Sequence, residues 1–332
     1  MKNIVLDCMG ADNSPHDFVK GAIGALDEIQ NLHIILVGNK DDIQKELNKY
    51  KCDKSRISIV DAKDVILGED SPVKAIQRKK DSSLIVGINE LLNKNYDGII
   101  SAGNSGAFLA ACVMLIGKIE GVNRPALAPV LHIGNKKIIL LDAGATVDCK
   151  VNNLLEFAKI GSIYYRELFN KKNPEVKLLN IGEESTKGNC VVKNTYNELL
   201  NDTSINFKGN IEARNIMSEN VDVIVCDGFV GNVTLKVMEG VGTYFLQEIN
   251  SNLNKIYLYK ILKKFFSKFC TKLKNKYDYQ KQGGAFFVGV KKICIKAHGS
   301  SNHISIKNSI EMAYKLSFKN FVENLEKDLL KK

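Results

Sequence analysis

The chain has no tryptophan, five prolines, five histidines and only five arginines (Arg56, Arg78, Arg124, Arg166, Arg214) among its 332 residues. So few breakers favour long regular elements, and so few scattered arginines argue against a bidentate carboxylate site or base readout in a nucleic-acid groove. Its eight cysteines lie far apart, with none of the paired spacings that a zinc or redox motif requires, so they are expected to be reduced and mostly buried. The histidines are equally unclustered apart from His298 and His303, and neither a metal nor any other cofactor is expected. No apolar run reaches the roughly 18 residues of a membrane span. The first ten residues read as a strand and a turn, not a signal peptide, so a cytoplasmic protein is expected.

Charge is unevenly spread. The formal net charge is +10, yet residues 251–282 hold nine lysines against Asp278 alone, leaving about +2 for the rest of the chain. A basic face over the whole protein is excluded, and with it an extended nucleic-acid surface.

With 45% apolar residues the chain is rich enough to bury a large core. Short Val/Ile runs ending in Gly, Asp or Asn alternate with longer helical periodicities, the pattern of an α/β protein. Strands are expected at 3–7, 33–38, 56–61, 98–102, 137–142, 176–181, 221–227 and 293–297. Several lack polar alternation, as central strands covered on both faces do. Helices are expected at 17–32, 43–50, 73–93, 107–116, 153–169 and 302–331. No Ser/Gly linker or repeat divides the chain, so residues 1–332 read as one layered domain, with 241–282 as a helical extension within it.

In such folds ligands gather at the carboxyl ends of strands, where small residues let amides approach an anion. Loops of that kind follow Asp7 (with Gly10), Ser101 (Gly103, Asn104, Ser105, Gly106), Asp142, Asn180 (through Lys187), Asp227 (through Asn232) and Ala297 (His298, Ser300, Ser301). None has the spacing of a P-loop, a dinucleotide fingerprint or a nucleophile elbow, so a kinase, a dehydrogenase and a Ser/His/Asp hydrolase are unsupported.

The strings MGADNSP (9–15), KKDSSL (79–84), SAGNSGA (101–107), LLDAGATVDC (140–149), NIGEESTKGN (180–189), DGFVGNVTLKVMEG (227–240), GGAFFVGVK (283–291) and IKAHGSS (295–301) stand in the order of the motifs of the PlsX phosphate acyltransferases. The chain resembles that family over nearly its whole length. It departs from the usual pattern at Ala11, Val151, Phe286 and Phe287. The resemblance implies a three-layer α/β/α sandwich akin to isocitrate/isopropylmalate dehydrogenases and phosphotransacetylases, and a homodimer. It also implies transfer of a fatty acyl group from acyl carrier protein to inorganic phosphate, giving acyl phosphate for a membrane glycerol-phosphate acyltransferase downstream. A catalytically inactive membrane scaffold is the competing reading.

Phosphate is already an anionic nucleophile and a thiolate is a good leaving group, so such a reaction asks mainly for positioning and oxyanion donors. On these grounds Gly103, Asn104, Ser105 and Gly106 are assigned to the phosphate cradle, with Lys187 as its point charge. Asn232 is assigned as donor to the acyl carbonyl, with Asp227 orienting its neighbours. His298 either protonates the leaving thiolate or binds phosphate beside Ser300. Asp7, Gly10 and Asp142 shape the cleft. The plainer alternatives are helix and turn caps for Asn104, Ser105 and Asp227, a solvated lysine for Lys187 and a structural imidazole for His298.

In the basic segment Leu258, Ile261, Leu262, Phe265, Phe266 and Phe269 recur at three- and four-residue spacing, and lysines occupy the opposite face. Such a helix suits an anionic membrane surface, here the inner face of the cell membrane. A dimer arm and a dock for the acidic carrier protein remain open alternatives.

Overall fold

The computed structural model describes residues 1–255 and 283–330. The expected membrane-binding face, Leu258, Ile261, Leu262, Phe265, Phe266 and Phe269, lies outside them.

Among the described residues eleven strands form one sheet in the order β3-β2-β1-β4-β11-β10-β5-β6-β9-β7-β8. They are β1 (Lys2–Asp7), β2 (Leu32–Gly38), β3 (Ile57–Asp61), β4 (Gly98–Ser101), β5 (Ala126–Ile133), β6 (Lys136–Leu141), β7 (Glu175–Asn180), β8 (Asn206–Glu212), β9 (Val223–Val225), β10 (Ala285–Val288) and β11 (Ile293–Lys296). The described helices are α1 (His16–Glu28), α2 (Lys40–Leu47), α3 (Pro72–Arg78), α4 (Ser83–Asn93), α5 (Ser105–Ala111), α6 (Val151–Phe169), α7 (Cys190–Asn201), α8 (Gly228–Lys255), α9 (His303–Phe318) and α10 (Phe321–Leu330).

Period-two alternation sets the layers. In β1, Ile4 and Leu6 point into a core shared with α1, α6, α9 and α10, whereas Val5 points into another shared with α3, α4 and α5. All three are fully buried, which is why the strand reads as an unbroken apolar run. The first core is continuous along the sheet, from Ile4 to Val225. On the opposite face a separate cluster around Leu140 and Ile224 receives Leu235 and Met238 of α8. The result is the three-layer α/β/α sandwich.

Strand β5 decides where the site can be. Its first half, Ala126–Pro129, pairs antiparallel with β10, and its second half, Val130–Ile133, pairs antiparallel with β6. Since β10 is also antiparallel to β11, the strands on the two flanks of the sheet run in opposite directions. The carboxyl ends of β4 and β11 therefore face those of β6 and β9 across the middle of β5.

Several boundaries differ from the sequence expectation. The helix expected over 73–93 is broken, because residues 79–83 turn to bond Asp64: Asp64 N–H donates to Asp81 O and Ser83 N–H to Asp64 O. The helix expected over 302–331 divides at Asn320, which adopts a left-handed conformation. Strand β5 carries Pro129, β10 is four residues long, and β8 is a polar edge strand, so none of the three has a clear strand period. Nor does the segment after 240 begin a new element, since α8 runs without interruption from Gly228 to Lys255.

Candidate active site

Where the two sets of strand ends meet lies a cavity of about 400 Å³. Leu127, Pro129 and Val130 of β5 form its floor. One wall is Ser105 after β4 and Lys296, His298, Ser300 and Ser301 at the end of β11. The other is Gly144 after β6 with Asn232, Lys236 and Glu239 on α8. A larger cavity of about 570 Å³ lies at the amino ends of β6, β7 and β9. Its lysines are already engaged: Lys136 on the carbonyls of Ser218 and Glu219, Lys171 on Asp222, and Lys137 over the Phe169 ring. The strand-end cavity, with hydroxyls and amines facing apolar side chains, is the better candidate.

Of the residues singled out from sequence, Ser105, Asn232, His298 and Ser300 line this cavity together. Asn104 stands behind it. Its Oδ1 accepts from Ala107 N–H at 3.0 Å, capping α5, and its Nδ2 donates to the carbonyls of Leu67, Gly68 and Asp70 at 2.8, 3.2 and 3.2 Å. The side chain is thus a clamp between α5 and the 67–70 loop. Gly103 and Gly10 pack against one another, and a Cβ on Gly106 would meet Pro72 at 2.8 Å.

Asp7 and Asp142 are buried, and each braces a loop. Asp7 accepts from Ser101 Oγ at 2.7 Å and Met9 N–H at 3.2 Å. Burial pushes its carboxyl pKa up, while the Ser83 and Ser101 hydroxyls pull it back. Asp142 accepts from the amides of Leu127, Gly144, Ala145 and Thr146 at 2.6 to 3.1 Å. Burial again pushes upward against these four donors. Helix α8 seats directly on this loop, since a Cβ on Gly231 would fall 1.8 Å from Asp142 O. That contact admits only glycine and delivers Asn232 to the cavity, one residue on. Gly144, at φ +133°, lets the Asn232 amide approach to within 3.3 Å of where its Cβ would be.

Asp227 accepts from Val230 N–H at 2.8 Å and so caps α8. Lys187 is exposed in the loop after β7 and is not among the cavity's lining residues, and its backbone carbonyl accepts from Asn180 Nδ2 at 3.1 Å. His298 Nδ1 lies 2.8 Å from Ser300 Oγ and accepts from Ser300 N–H at 3.2 Å. That amide fixes Nδ1 as an acceptor, so a neutral ring carries its proton on Nε2.

The family comparison decides the identity. The family described as "Fatty acid synthesis protein" matches residues 2–324. A phosphate acyltransferase of Clostridium novyi is 46% identical over 325 residues, covering 97% of this chain and 95% of that one. The chain belongs to the phosphate acyltransferase family. It is therefore an acyltransferase. A phosphate acyltransferase of Halothermothrix orenii is 41% identical over 329 residues, covering 99% and 98% of the two chains. Among solved structures, a phosphotransacetylase from Streptococcus pyogenes superposes with a TM-score of 0.63 at 14% identity, over 96% of this chain and 94% of that one. EutD phosphotransacetylase from Staphylococcus aureus gives 0.61 at 14% identity, over 97% and 94%. At that identity the likeness is one of fold.

For a phosphate acyltransferase, the feature that sequence reasoning passed over is Lys296. It is 8% exposed and lines the cavity. Burial pushes its amine down to about 8, with the charge of Asp7 opposing. A lysine closing a strand whose other three residues are Ile293, Cys294 and Ile295 was the available signal, because a central strand has no solvent face for a charge. Glu239 also went unnoticed. Its carboxyl is pushed up by burial and pulled back by the charges of His298 and Lys236.

Proposed function

We propose that this acyltransferase moves a fatty acyl group from the thioester of acyl carrier protein to inorganic phosphate, giving an acyl phosphate for phospholipid synthesis. The observation that carries this reading is the lining of the cavity. The hydroxyls of Ser105, Ser300 and Ser301 and the amine of Lys296 stand beside Leu127, Pro129, Val130 and Leu235, so an anion and an acyl group fit side by side.

A phosphate oxygen attacks the thioester carbon, and the carbonyl oxygen takes up the negative charge. Asn232 is placed to donate to it, an interaction worth about 3 to 4 kcal/mol where one such donor has been removed from a hydrolase. Collapse of the adduct breaks the carbon–sulfur bond, and the electron pair leaves on sulfur. The thiolate departs as the anion, and His298, with its proton on Nε2, donates a hydrogen bond to the departing sulfur without giving up that proton. Lys187 acts as a point charge on the entering or leaving anion from the loop after β7.

The same reading makes the enzyme a homodimer in the cytoplasm, held at the inner face of the cell membrane. Two features support it. Val233, Val237, Val241, Tyr244 and Phe245 form an exposed apolar stripe along α8, which leads into the lysine-rich segment. Among the described residues no helix is long and apolar enough to cross a membrane, so attachment would be peripheral.

The test is release of free thiol from purified long-chain acyl carrier protein, with and without inorganic phosphate, with hydroxylamine present to trap acyl phosphate. Phosphate-dependent thiol release together with hydroxamate is expected. Release equal in both conditions would make the protein a thioesterase. No release in either would favour the inactive scaffold.

A further inference from the structure

Lys296 is a buried cation with neutral partners. Its Nζ donates to Ala102 O at 3.0 Å and to Ala297 O. Asp7, the opposite charge that acts on it, lies across β4 in the sheet and is itself occupied by Ser101 and Met9. Two carbonyls and a remote carboxylate undercompensate an ammonium taken out of water. An ammonium also has three N–H donors, and two carbonyls account for two of them.

The surroundings of the third are those of an anion site. Lys296 lines the cavity beside the hydroxyls of Ser105, Ser300 and Ser301. The sixteen-residue helix α9 starts next to it, capped by Asn302, whose Oδ1 accepts from Ile304 and Ser305 N–H. Its positive end adds to the same potential. The two carbonyls that hold the amine belong to the loops that carry Ser105 and His298, so the ammonium is fixed between the groups that would flank a ligand.

We infer that Lys296 is a catalytic residue of this enzyme whose third N–H binds the attacking phosphate, holding it between the loop after β4 and the loop after β11. The inference rests on the reaction proposed above and adds the group that fixes its nucleophile. Lys296 stays protonated throughout. The phosphate oxygen forms the new bond to the acyl carbon, and the electron pair of the carbon–sulfur bond leaves on sulfur, with no proton drawn from the amine. The other titratable groups lining this space are His298 from the adjoining loop and Lys236 and Glu239 from α8, and the charge of Asp7 on β1 acts on the amine from outside the lining. Burial holds the amine near 8, and a phosphate dianion beside it would favour the charged form.

The test titrates inorganic phosphate alone into the full chain by calorimetry, for the wild type, Lys296→Met and Lys296→Arg, with thermal unfolding as a check on each variant. Steady-state kinetics on the same proteins follow. Loss of a charge-assisted donor is expected to weaken phosphate binding at least tenfold in Lys296→Met and to raise the phosphate KM by a similar factor. The KM for the acyl thioester is expected to stay within about twofold, and Lys296→Arg to recover part of the loss. In the wild type, phosphate affinity is expected to fall as pH rises past about 8, and in Lys296→Arg to stay level.

A folded Lys296→Met that binds phosphate as tightly as the wild type would overturn the inference. So would a wild type whose phosphate affinity is flat from neutral to alkaline pH, a measurement that needs no variant to fold. Failure of the reaction itself reads differently: a wild type that binds phosphate but leaves the thioester intact refutes the acyl transfer, while lost binding in Lys296→Met still identifies the anion ligand.

Discussion

The two walls of the cavity are built in opposite ways. On the β4/β11 side a buried, cross-braced set of polar groups backs the exposed Ser105 and His298: Lys296 ties the Ala102 and Ala297 loops together, Ser101 bonds Asp7, and the half-buried Asn104 clamps the 67–70 loop. On the β6/β9 side one carboxylate, Asp142, organises the loop, the half-buried Asn232 stands on a helix with an exposed apolar stripe, and Lys187 lies outside the cavity's lining on a solvent-facing turn. A buried charge is held in one place by its neighbours, which suits a small anion. An exposed loop and helix can adjust to a bulky acyl donor. Under the proposed reaction, the contrast suits nucleophile binding at the first wall and the acyl donor at the second.

The strongest way to break the second wall is Asp142→Ala. It leaves four amides without their acceptor, at about 1 to 3 kcal/mol for each that stays buried, so loss of cooperative thermal unfolding is expected. A wild-type melting temperature would show that water or rearranged backbone replaces the carboxylate.

Lys296→Met probes the first wall through pH. Its folded value near 8 lies below the ordinary 10.5, so between those values the unfolded chain holds a proton that the folded chain has released. Stability contributed by this group therefore rises with pH across that window and is lost as pH falls through about 8. Denaturant unfolding of wild type and variant from pH 7 to 10.5 should diverge by up to about 3 kcal/mol. Parallel curves would place the amine in water.

Asn104→Ala removes a helix cap and the clamp on the 67–70 loop. A loss of about 0.5 to 2 kcal/mol is expected in chemical denaturation, along with weaker phosphate binding through the displaced Ser105. Unchanged phosphate affinity would mean that the loop keeps its shape without the clamp.

The smallest stability effect is expected from Lys187→Ala, within about 0.5 kcal/mol, since the side chain is exposed. Its turnover is nevertheless expected to fall at least tenfold, about 1.4 kcal/mol of barrier, because the proposed role lies in the reaction and not in the fold. Turnover within threefold of wild type would remove Lys187 from the mechanism.

Much of this was legible in the chain. The α/β class and most strands follow from Val/Ile runs and helical periods, which are local. Ser105, Asn232, His298 and Ser300, picked from loops at strand ends, do line one cavity. The sequence was less informative where partners are distant. Asn104 looked like an anion donor because Gly103-Asn104-Ser105-Gly106 has the residues of a cradle. Its amide is instead taken by carbonyls 34 to 37 positions away. Lys296 was hidden for a related reason: the apolar run Ile293-Cys294-Ile295 marks a strand, but only the assembled sheet makes that strand central and its closing lysine buried.

What the sequence determined by itself, then, is the succession of strands, helices and small-residue turns, because backbone propensity and side-chain period act over a few residues. Tertiary structure alone decided that β5 pairs with β10 along one half and β6 along the other, reversing the strands across it and setting two rows of carboxyl ends face to face. Register between distant strands is a property of the assembled sheet, and so are the burial and the charge state of any group, such as Lys296, that the sheet encloses.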